Sequence, residues 1–230
     1  MKCRVLLDFD GTISEVDTTD LLLERFAAPA WHGIEEEWKT GRIGSRECMV
    51  RQIDLVRATP AEMDAFISTV SIDPGFRGFV DRFRGLGHAL TVVSDGLDRT
   101  IRNVLDREDI VIPYFANHLQ LIGRDRWRLT FPHAKGTCTT LAGNCKCSLL
   151  EDGPRTLTVM VGDGRSDFCV AGRADLVLAK GSLLRHCRQN DLPHTGFETF
   201  EEATALLARW LEMHGAAVAG ESACAGRKQG

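Results

Sequence analysis

Three apolar runs in this chain stop at the same kind of punctuation. Val5-Leu6-Leu7 ends in Asp8-Phe9-Asp10-Gly11-Thr12, and Ala89-Leu90-Thr91-Val92-Val93 ends in Ser94-Asp95-Gly96. Thr156-Leu157-Thr158-Val159-Met160-Val161 ends in Gly162-Asp163-Gly164. Short apolar runs bounded by Gly turns predict strands buried on both faces. A fourth run, Leu176-Val177-Leu178-Ala179, lacks the polar ending. Amphipathic patterns over 76–86, 97–105, 167–173 and 200–213 predict helices between the strands. Apolar strands alternating with such helices predict an α/β fold, a doubly wound and mainly parallel sheet with a Rossmann-like core. Ligands in such sheets bind beyond the carboxyl ends of the strands. The three polar endings therefore converge on one edge.

The segment from 14 to 71 is too long for a single crossover connection. Its apolar residues group helically: Leu21, Leu22, Leu23 and Phe26, then Met49, Val50, Ile53 and Val56. Thr59-Pro60-Ala61-Glu62 carries a helix-start signature of cap residue, early proline and returning Glu. The predicted organisation is a core of 1–13 and 72–214 with a small helical cap, 14–71, inserted in it. Residues 117–131 alternate around Gly123-Arg124-Asp125, which predicts a β-hairpin. The Gly/Ala/Ser-rich stretch 215–230 is predicted to be disordered.

Composition narrows the partners. The chain has 230 residues and a formal net charge of −4, which gives no electrostatic reason to expect nucleic acid or an anionic membrane. No run reaches the roughly 20 apolar residues needed to cross a bilayer, and Met1-Lys2-Cys3-Arg4 with Val5-Leu6-Leu7 is too short for a signal peptide. A cytoplasmic protein is the expectation. Eight cysteines are scattered, with only Cys138, Cys145 and Cys147 clustered. Free thiols are expected rather than a disulfide framework. Those three with His133 offer the alternative of a zinc site, though the irregular spacing chelates poorly.

Asp8 and Asp10 leave a strand end two residues apart. Gly11 lets backbone N–H groups approach an anion, and Thr12 adds a hydroxyl. Taken alone this is also an ordinary Asp-rich turn. Asp163 and Asp167, four apart after a second buried strand, shift the balance. Hard oxygen ligands of this kind suit Mg2+, although acids at a helix start are favoured by the helix dipole anyway. A carboxylate facing a bound anion needs such a cation, and a carboxyl group serving as an acid needs crowded acidic surroundings. Lys135 and Lys146 are the candidates for a cation that balances a bound anion. Lys146 is favoured, since a helix could carry it to the strand before Asp163.

The ordered set DFDGT, strand-end Ser94, a lysine and GDGRSD resembles the haloacid dehalogenase superfamily over nearly the whole chain. The resemblance implies an enzyme acting on a small phosphorylated metabolite, with Mg2+ dependence and a phosphorylated aspartate. It implies Asp8 as nucleophile and metal ligand, and Asp10 as backbone metal ligand and general acid–base. It further implies Thr12 and Ser94, with Asp95 and Gly96 beside it, as phosphate-binding residues. Lys146 becomes the charge-balancing cation, Asp163 a metal ligand and Asp167 a support of the metal site. Cap placement is similar to that of the phosphoserine-phosphatase-like subfamily. HAKGTCTTLAGNCKC, Phe115-Ala116-Asn117-His118 and Cys187-Arg188-Gln189-Asn190 resemble the 2-hydroxy-3-keto-5-methylthiopentenyl-1-phosphate phosphatases of methionine salvage. The vertebrate phosphocholine/phosphoethanolamine phosphatases resemble this stretch too. Phosphoserine phosphatases have a cap Glu where this chain has Asp17 and an Asn where it has Ser166. Both departures weigh against phosphoserine. Trp31, His32, Arg42 and Arg46 are cap residues that could meet substrate, whereas Trp127 and Trp210 are expected to pack. A receiver-type phosphate-accepting regulator fits badly, because it carries no helical insertion after its first strand. A metal-free dehalogenase does not need Asp10.

Overall fold

The sheet has seven strands: β1 (Cys3–Leu7), β2 (Ala89–Leu97), β3 (Tyr114–Leu121), β4 (Trp127–Thr130), β5 (Leu157–Gly162), β6 (Leu176–Ala179) and β7 (His194–Gly196). Their spatial order is β4-β3-β2-β1-β5-β6-β7, all parallel except the β3–β4 pair. The structure, a computed structural model, describes residues 2–136, 138, 141–150 and 156–225, with side chains through His214. Thr137, Thr139 and Thr140 of the cysteine-rich stretch and the last residues of the tail, 226–230, lie outside the described residues.

β1 is the switch point. The chain builds outward from it through β2 to β4, then returns to its other side for β5 to β7. Side-chain alternation explains why both sheet faces are covered. Val5, Leu7, Val92, Val159, Val161 and Leu178 belong to one apolar cluster, and Leu6, Val93, Met160, Val177 and Ala179 to the other. On the first face lies α5 (Phe76–Gly85), whose Phe76, Phe79, Val80 and Phe83 are buried at helical spacing. Phe200 of the last helix meets Phe76 and Phe79 edge-on at 4.9 and 5.2 Å. Burying each such ring contributes about 1.5–3 kcal/mol.

Between β1 and α5 come four helices, α1 (Thr18–Phe26), α2 (Trp31–Lys39), α3 (Ser45–Ile53) and α4 (Pro60–Ile67). Entry and exit lie side by side: Ser14 bridges Ile72, and the Asp73 N–H donates to the Ile13 carbonyl at 2.9 Å. α4 starts at the expected capping box, with Thr59 N–H donating to Glu62 Oε2 and Glu62 N–H to Thr59 Oγ1. α2 is an element the sequence pattern did not predict. α6 (Asp98–Arg107) follows β2, α7 (Phe168–Ala171) and α8 (Gly181–Gln189) flank β6, and α9 (Phe200–Ala225) ends the described chain.

Three boundaries differ from expectation. β2 does not stop at Val93; it continues to Leu97, and its register with β3 breaks between those residues. Ser94-Asp95-Gly96 therefore sits on a bulge, a device that re-aims side chains beside active sites. The helix expected over 167–173 is shorter, a 3-10 turn (Arg165–Asp167) leading into α7. α9 continues past Met213 into the segment expected to be disordered, where Ala216, Ala217 and Ala219 supply strong helix propensity. The hairpin is present as β3–β4, with His118 opposite Thr130 and Leu121 opposite Trp127. Trp127 is buried, and Trp210 packs partly buried against the core, as expected. Among the described residues, no helix is long and apolar enough to cross a membrane.

Candidate active site

Register fixes the site. Leu7 pairs with Val92 on one side and Val161 on the other. The residues beyond that level, Asp8 after β1, Ser94 on β2 and Asp163 after β5, thus emerge together at the carboxyl edge. Phe9 turns into the core, where it is fully buried, so Asp8 and Asp10 share the opposite side.

Asp8, Asp163 and Asp167 bring carboxylate oxygens within 4.8 Å of one another. Lys146 Nζ lies 2.8 Å from Asp8 Oδ2 and 2.5 Å from Asp167 Oδ1, and its side chain is wholly buried. Burial would lower this lysine, but Asp167 and Asp8 overcome it and hold it above its usual value. Asp167 Oδ2 accepts from the Asp163 and Gly164 N–H groups, both at 3.2 Å, which fixes the turn after β5. Lys146 is carried by a 3-10 turn (Lys146–Leu150) rather than the helix expected. Lys135, the rival lysine, is exposed.

One ammonium does not balance three carboxylates, two of them buried and Asp163 half-buried. Burial and the Asp8 charge push Asp163 up to about 6, and burial with Asp8 also raises Asp167. A divalent cation among them would remove that excess, and the all-oxygen donor set suits Mg2+. The residues fit the ion. Gly11, at φ +67°, is required here because a Cβ would meet Asp163 Oδ2 at 2.6 Å.

Asp10 has a different environment. Its Oδ1 accepts from Thr18 N–H at 2.9 Å and Thr18 Oγ1 at 2.5 Å, and its other oxygen lies where a Cβ on Gly96 would be. Burial, then the nearby Asp17 charge, raises Asp10 well above the usual carboxylate range. Its environment favours the protonated form, and it sits beside Ser94, whose Oγ accepts from Gly96 N–H at 2.9 Å. Thr12, expected to hold phosphate, instead donates its hydroxyl to Asp163 at 3.0 Å and lies off the cavity wall. Asp95 lines the cavity, but its Oδ1 accepts from Asn144 N–H at 2.8 Å and Asn117 Nδ2 at 3.1 Å.

Those two asparagines were not singled out from sequence, yet they deliver the lysine. Asn144 Nδ2 donates to the Ser94 carbonyl at 3.0 Å and the Phe115 carbonyl at 2.7 Å. Asn144 thereby clamps the cysteine-rich loop onto the β2 bulge and β3, two residues ahead of Lys146. The signal was their place in the FANH and GNCKC runs.

Above the carboxylates opens a cavity of about 710 Å³ between the sheet edge and helices α1–α3. Its far wall carries acids, Asp17, Asp20 and Glu35, and an apolar arc of Trp38, Ile43, Met49, Leu141 and Ala142. Of the four cap candidates only Arg42 reaches the wall; Trp31 is buried, its ring tilted against that of His32, and Arg46 donates to the Leu141 carbonyl. Asp17 caps α1 by accepting from the Thr19 and Asp20 N–H groups. Ser166 Oγ reaches Asp8 Oδ2 at 3.5 Å.

Among the described residues, the acidic trio is the one group whose ligand atoms gather around a common point, so His133, Cys138, Cys145 and Cys147 do not assemble a zinc site. The His133 ring packs edge-on against Phe115. None of the seven cysteines whose side chains are described is in a disulfide.

The family profile of haloacid dehalogenase-like hydrolases matches residues 5–172. The chain belongs to this family, and with it to the hydrolases of phosphoric monoesters. Among its relatives is the 2-hydroxy-3-keto-5-methylthiopentenyl-1-phosphate phosphatase of Geobacillus thermodenitrificans, 34% identical, with 91% of this chain and 98% of the relative covered. The protein of the same name from an Exiguobacterium species is 31% identical over 90% of this chain and 98% of its own length. The fold is that of a phosphoserine phosphatase solved as a phospho-aspartyl intermediate analogue, at a TM-score of 0.62 and 23% identity, covering 80% of this chain and 90% of that one. A phosphoserine phosphohydrolase-like protein from Francisella tularensis aligns at a TM-score of 0.65 and 20% identity, over 90% of this chain and 99% of that one.

Proposed function

We propose that this chain hydrolyses a small phosphate monoester through a phosphorylated Asp8, using Mg2+. The carrying observation is the convergence of Asp8, Asp163 and Asp167, the first two on the floor of a cavity that Asp10 also faces. Asp8 and Asp163, with the Asp10 carbonyl, would hold the ion. Asp167 has both oxygens engaged, so its part is to support the metal site by orienting Lys146 and the turn after β5. An ion held there would lower the repulsion between Asp8 and the incoming phosphoryl group.

The remaining steps belong to side chains. Asp8 attacks phosphorus in line with the leaving oxygen, and Asp10 donates its proton to that oxygen. Asp10, now a carboxylate, takes a proton from the water that cleaves the phosphorylated Asp8. Lys146, 2.8 Å from Asp8, balances charge on the phosphoryl oxygens. Ser94 donates its hydroxyl to one of them, oriented by the Gly96 N–H that donates to its Oγ, and Asp95 contributes backbone, since its carboxyl is turned to Asn144. Residues 14–71 act as a cap that closes over the substrate and selects it.

The methionine-salvage enol phosphate is the substrate this reading favours. The support is the naming of the relatives, joined to the apolar arc of Trp38, Ile43, Met49 and Leu141, which suits a methylthio tail. One observation favours a second reading. Asp17, Asp20 and Glu35 share that wall and would hold an ammonium, as in phosphocholine, phosphoethanolamine or phosphoserine. A panel of these esters with saturating Mg2+ decides. The enol phosphate should have the highest kcat/KM; an ammonium ester in first place would replace it, and no hydrolysis of any ester would end both readings.

A further inference from the structure

Lys146 lies between two cysteines, and each faces a third party of its own kind. Cys145 packs with Cys138 in a small buried cluster, while Cys147 Sγ lies 2.9 Å from Cys169 Sγ. Cys147 follows Lys146 directly on the 3-10 turn, and Cys169 lies two residues after Asp167 in α7. The two sulfurs therefore span the same pair of segments that the Lys146–Asp167 ion pair spans. A disulfide bond of about 2.05 Å requires them to close by about 0.9 Å. Cys147 and Cys169 are partly exposed, unlike Cys138 and Cys145. A small oxidant can thus reach one pair and not the other. Phosphoryl transfer makes no use of either sulfur.

We propose that Cys147 and Cys169 form a peroxide-sensitive dithiol, a modification site whose disulfide displaces Lys146 and slows turnover. One sulfur attacks a peroxide oxygen; the O–O bond breaks, leaving a sulfenic acid and one water. The second sulfur attacks the first, the S–S bond forms, the S–O bond breaks and a second water leaves. Two thiols lose two electrons and two protons, and the peroxide is reduced to two waters. A dithiol reductant restores the thiols by exchange. The effect on catalysis follows from tolerance. Lys146 Nζ is held at 2.8 and 2.5 Å in a fully buried position, and misplacing such a group by about 1 Å costs on the order of a hundredfold in rate. This effect, though not the disulfide itself, rests on the role given to Lys146 above.

The test treats the full chain with hydrogen peroxide, then maps peptides without reduction and measures p-nitrophenyl phosphate hydrolysis with Mg2+. A Cys147–Cys169 cross-linked peptide, a roughly tenfold or greater fall in kcat and recovery in dithiothreitol are expected. Cys147→Ser and Cys169→Ser should each resist the loss, whereas Cys138→Ser should not. A map showing Cys138–Cys145 or Cys145–Cys147 instead, or only irreversible sulfinic acids, overturns the site. The cross-link with unchanged kcat overturns its hold on Lys146. If a variant does not fold, the wild-type map still decides. A chain that forms the cross-link but hydrolyses no ester would sink the phosphatase reading and leave the disulfide standing.

Discussion

The floor and the roof of the cavity are built by opposite rules. On the floor every carboxylate is committed: Asp8 and Asp167 to Lys146, Asp163 to Thr12, Asp167 again to two backbone N–H groups. On the roof, Glu35 shares a surface contact with Lys39 at 3.6 Å and a hydrogen bond from Gln52, while Asp17 and Asp20 are exposed. Buried charges must be paired in one geometry or the fold suffers, whereas half-solvated groups contribute little and are free to vary. Chemistry is thereby fixed where the sheet ends, and selectivity is left to the helices. Substitutions should separate the two along that line.

Asp8→Asn is the severest case. It keeps shape but removes the nucleophile, and Lys146 retains Asp167, so the chain should fold while kcat falls by about a thousandfold or more. Circular dichroism and p-nitrophenyl phosphate turnover check both halves; retained turnover would remove Asp8 from the mechanism. Asp10→Asn ranks next. It removes a proton donor, so esters of poor leaving groups should lose about a hundredfold and p-nitrophenyl phosphate distinctly less. Equal losses on both would show that Asp10 serves the floor structurally and not as an acid.

This division also governs what the sequence disclosed. β1 and β5 were readable because apolar runs end abruptly at Gly-bearing turns, where Asp8, Asp10 and Asp163 stand, and β6 was readable from its apolar run alone. α1 and α4 were readable through an apolar cluster and a capping box. α2 was not, since Gly33 and a run of three glutamates blur its period, and with it Glu35 and Trp38 of the roof went unseen. β7 has three residues and no apolar run. Thr12 carries the right group for phosphate, but only packing shows that its hydroxyl is spent on Asp163. Asn117 and Asn144 act through contacts 22 to 50 positions away in sequence, which no local pattern encodes.

Arg165 joins the two regions and should sharpen the contrast. It rises from the floor motif, its guanidinium lies 5.5 Å from the Trp38 ring, and Nη1 donates to the Lys39 carbonyl at 3.4 Å. Arg165→Ala removes this link between core and roof without touching Asp8. We expect KM to rise several-fold with kcat within about twofold, since the loss is in holding the cap and not in the transition state. A fall in kcat as large as that of Asp10→Asn would place Arg165 on the floor after all.

The smallest effect lies at the other end of β1, and its sign differs from that of the floor. His88 Nδ1 accepts from the Cys3 N–H at 3.1 Å, and burial, then the N-terminal charge, lowers its pKa. The folded chain binds this proton less readily than the unfolded chain, whose His titrates near about 6.5. The contribution of His88 is therefore complete above that value and is lost as pH falls through it. Asp163 runs the other way: raised to about 6, it destabilises the metal-free fold at high pH and relieves that cost on acidification. Overall stability between pH 7.5 and 5.5 thus mixes both, and the variant isolates one. His88→Gln keeps an acceptor for Cys3 but cannot titrate, so with EDTA present its Tm should fall less than wild type over that range, by a few degrees at most. Identical slopes for the two proteins would mean that His88 stays neutral, or equally protonated, in both states.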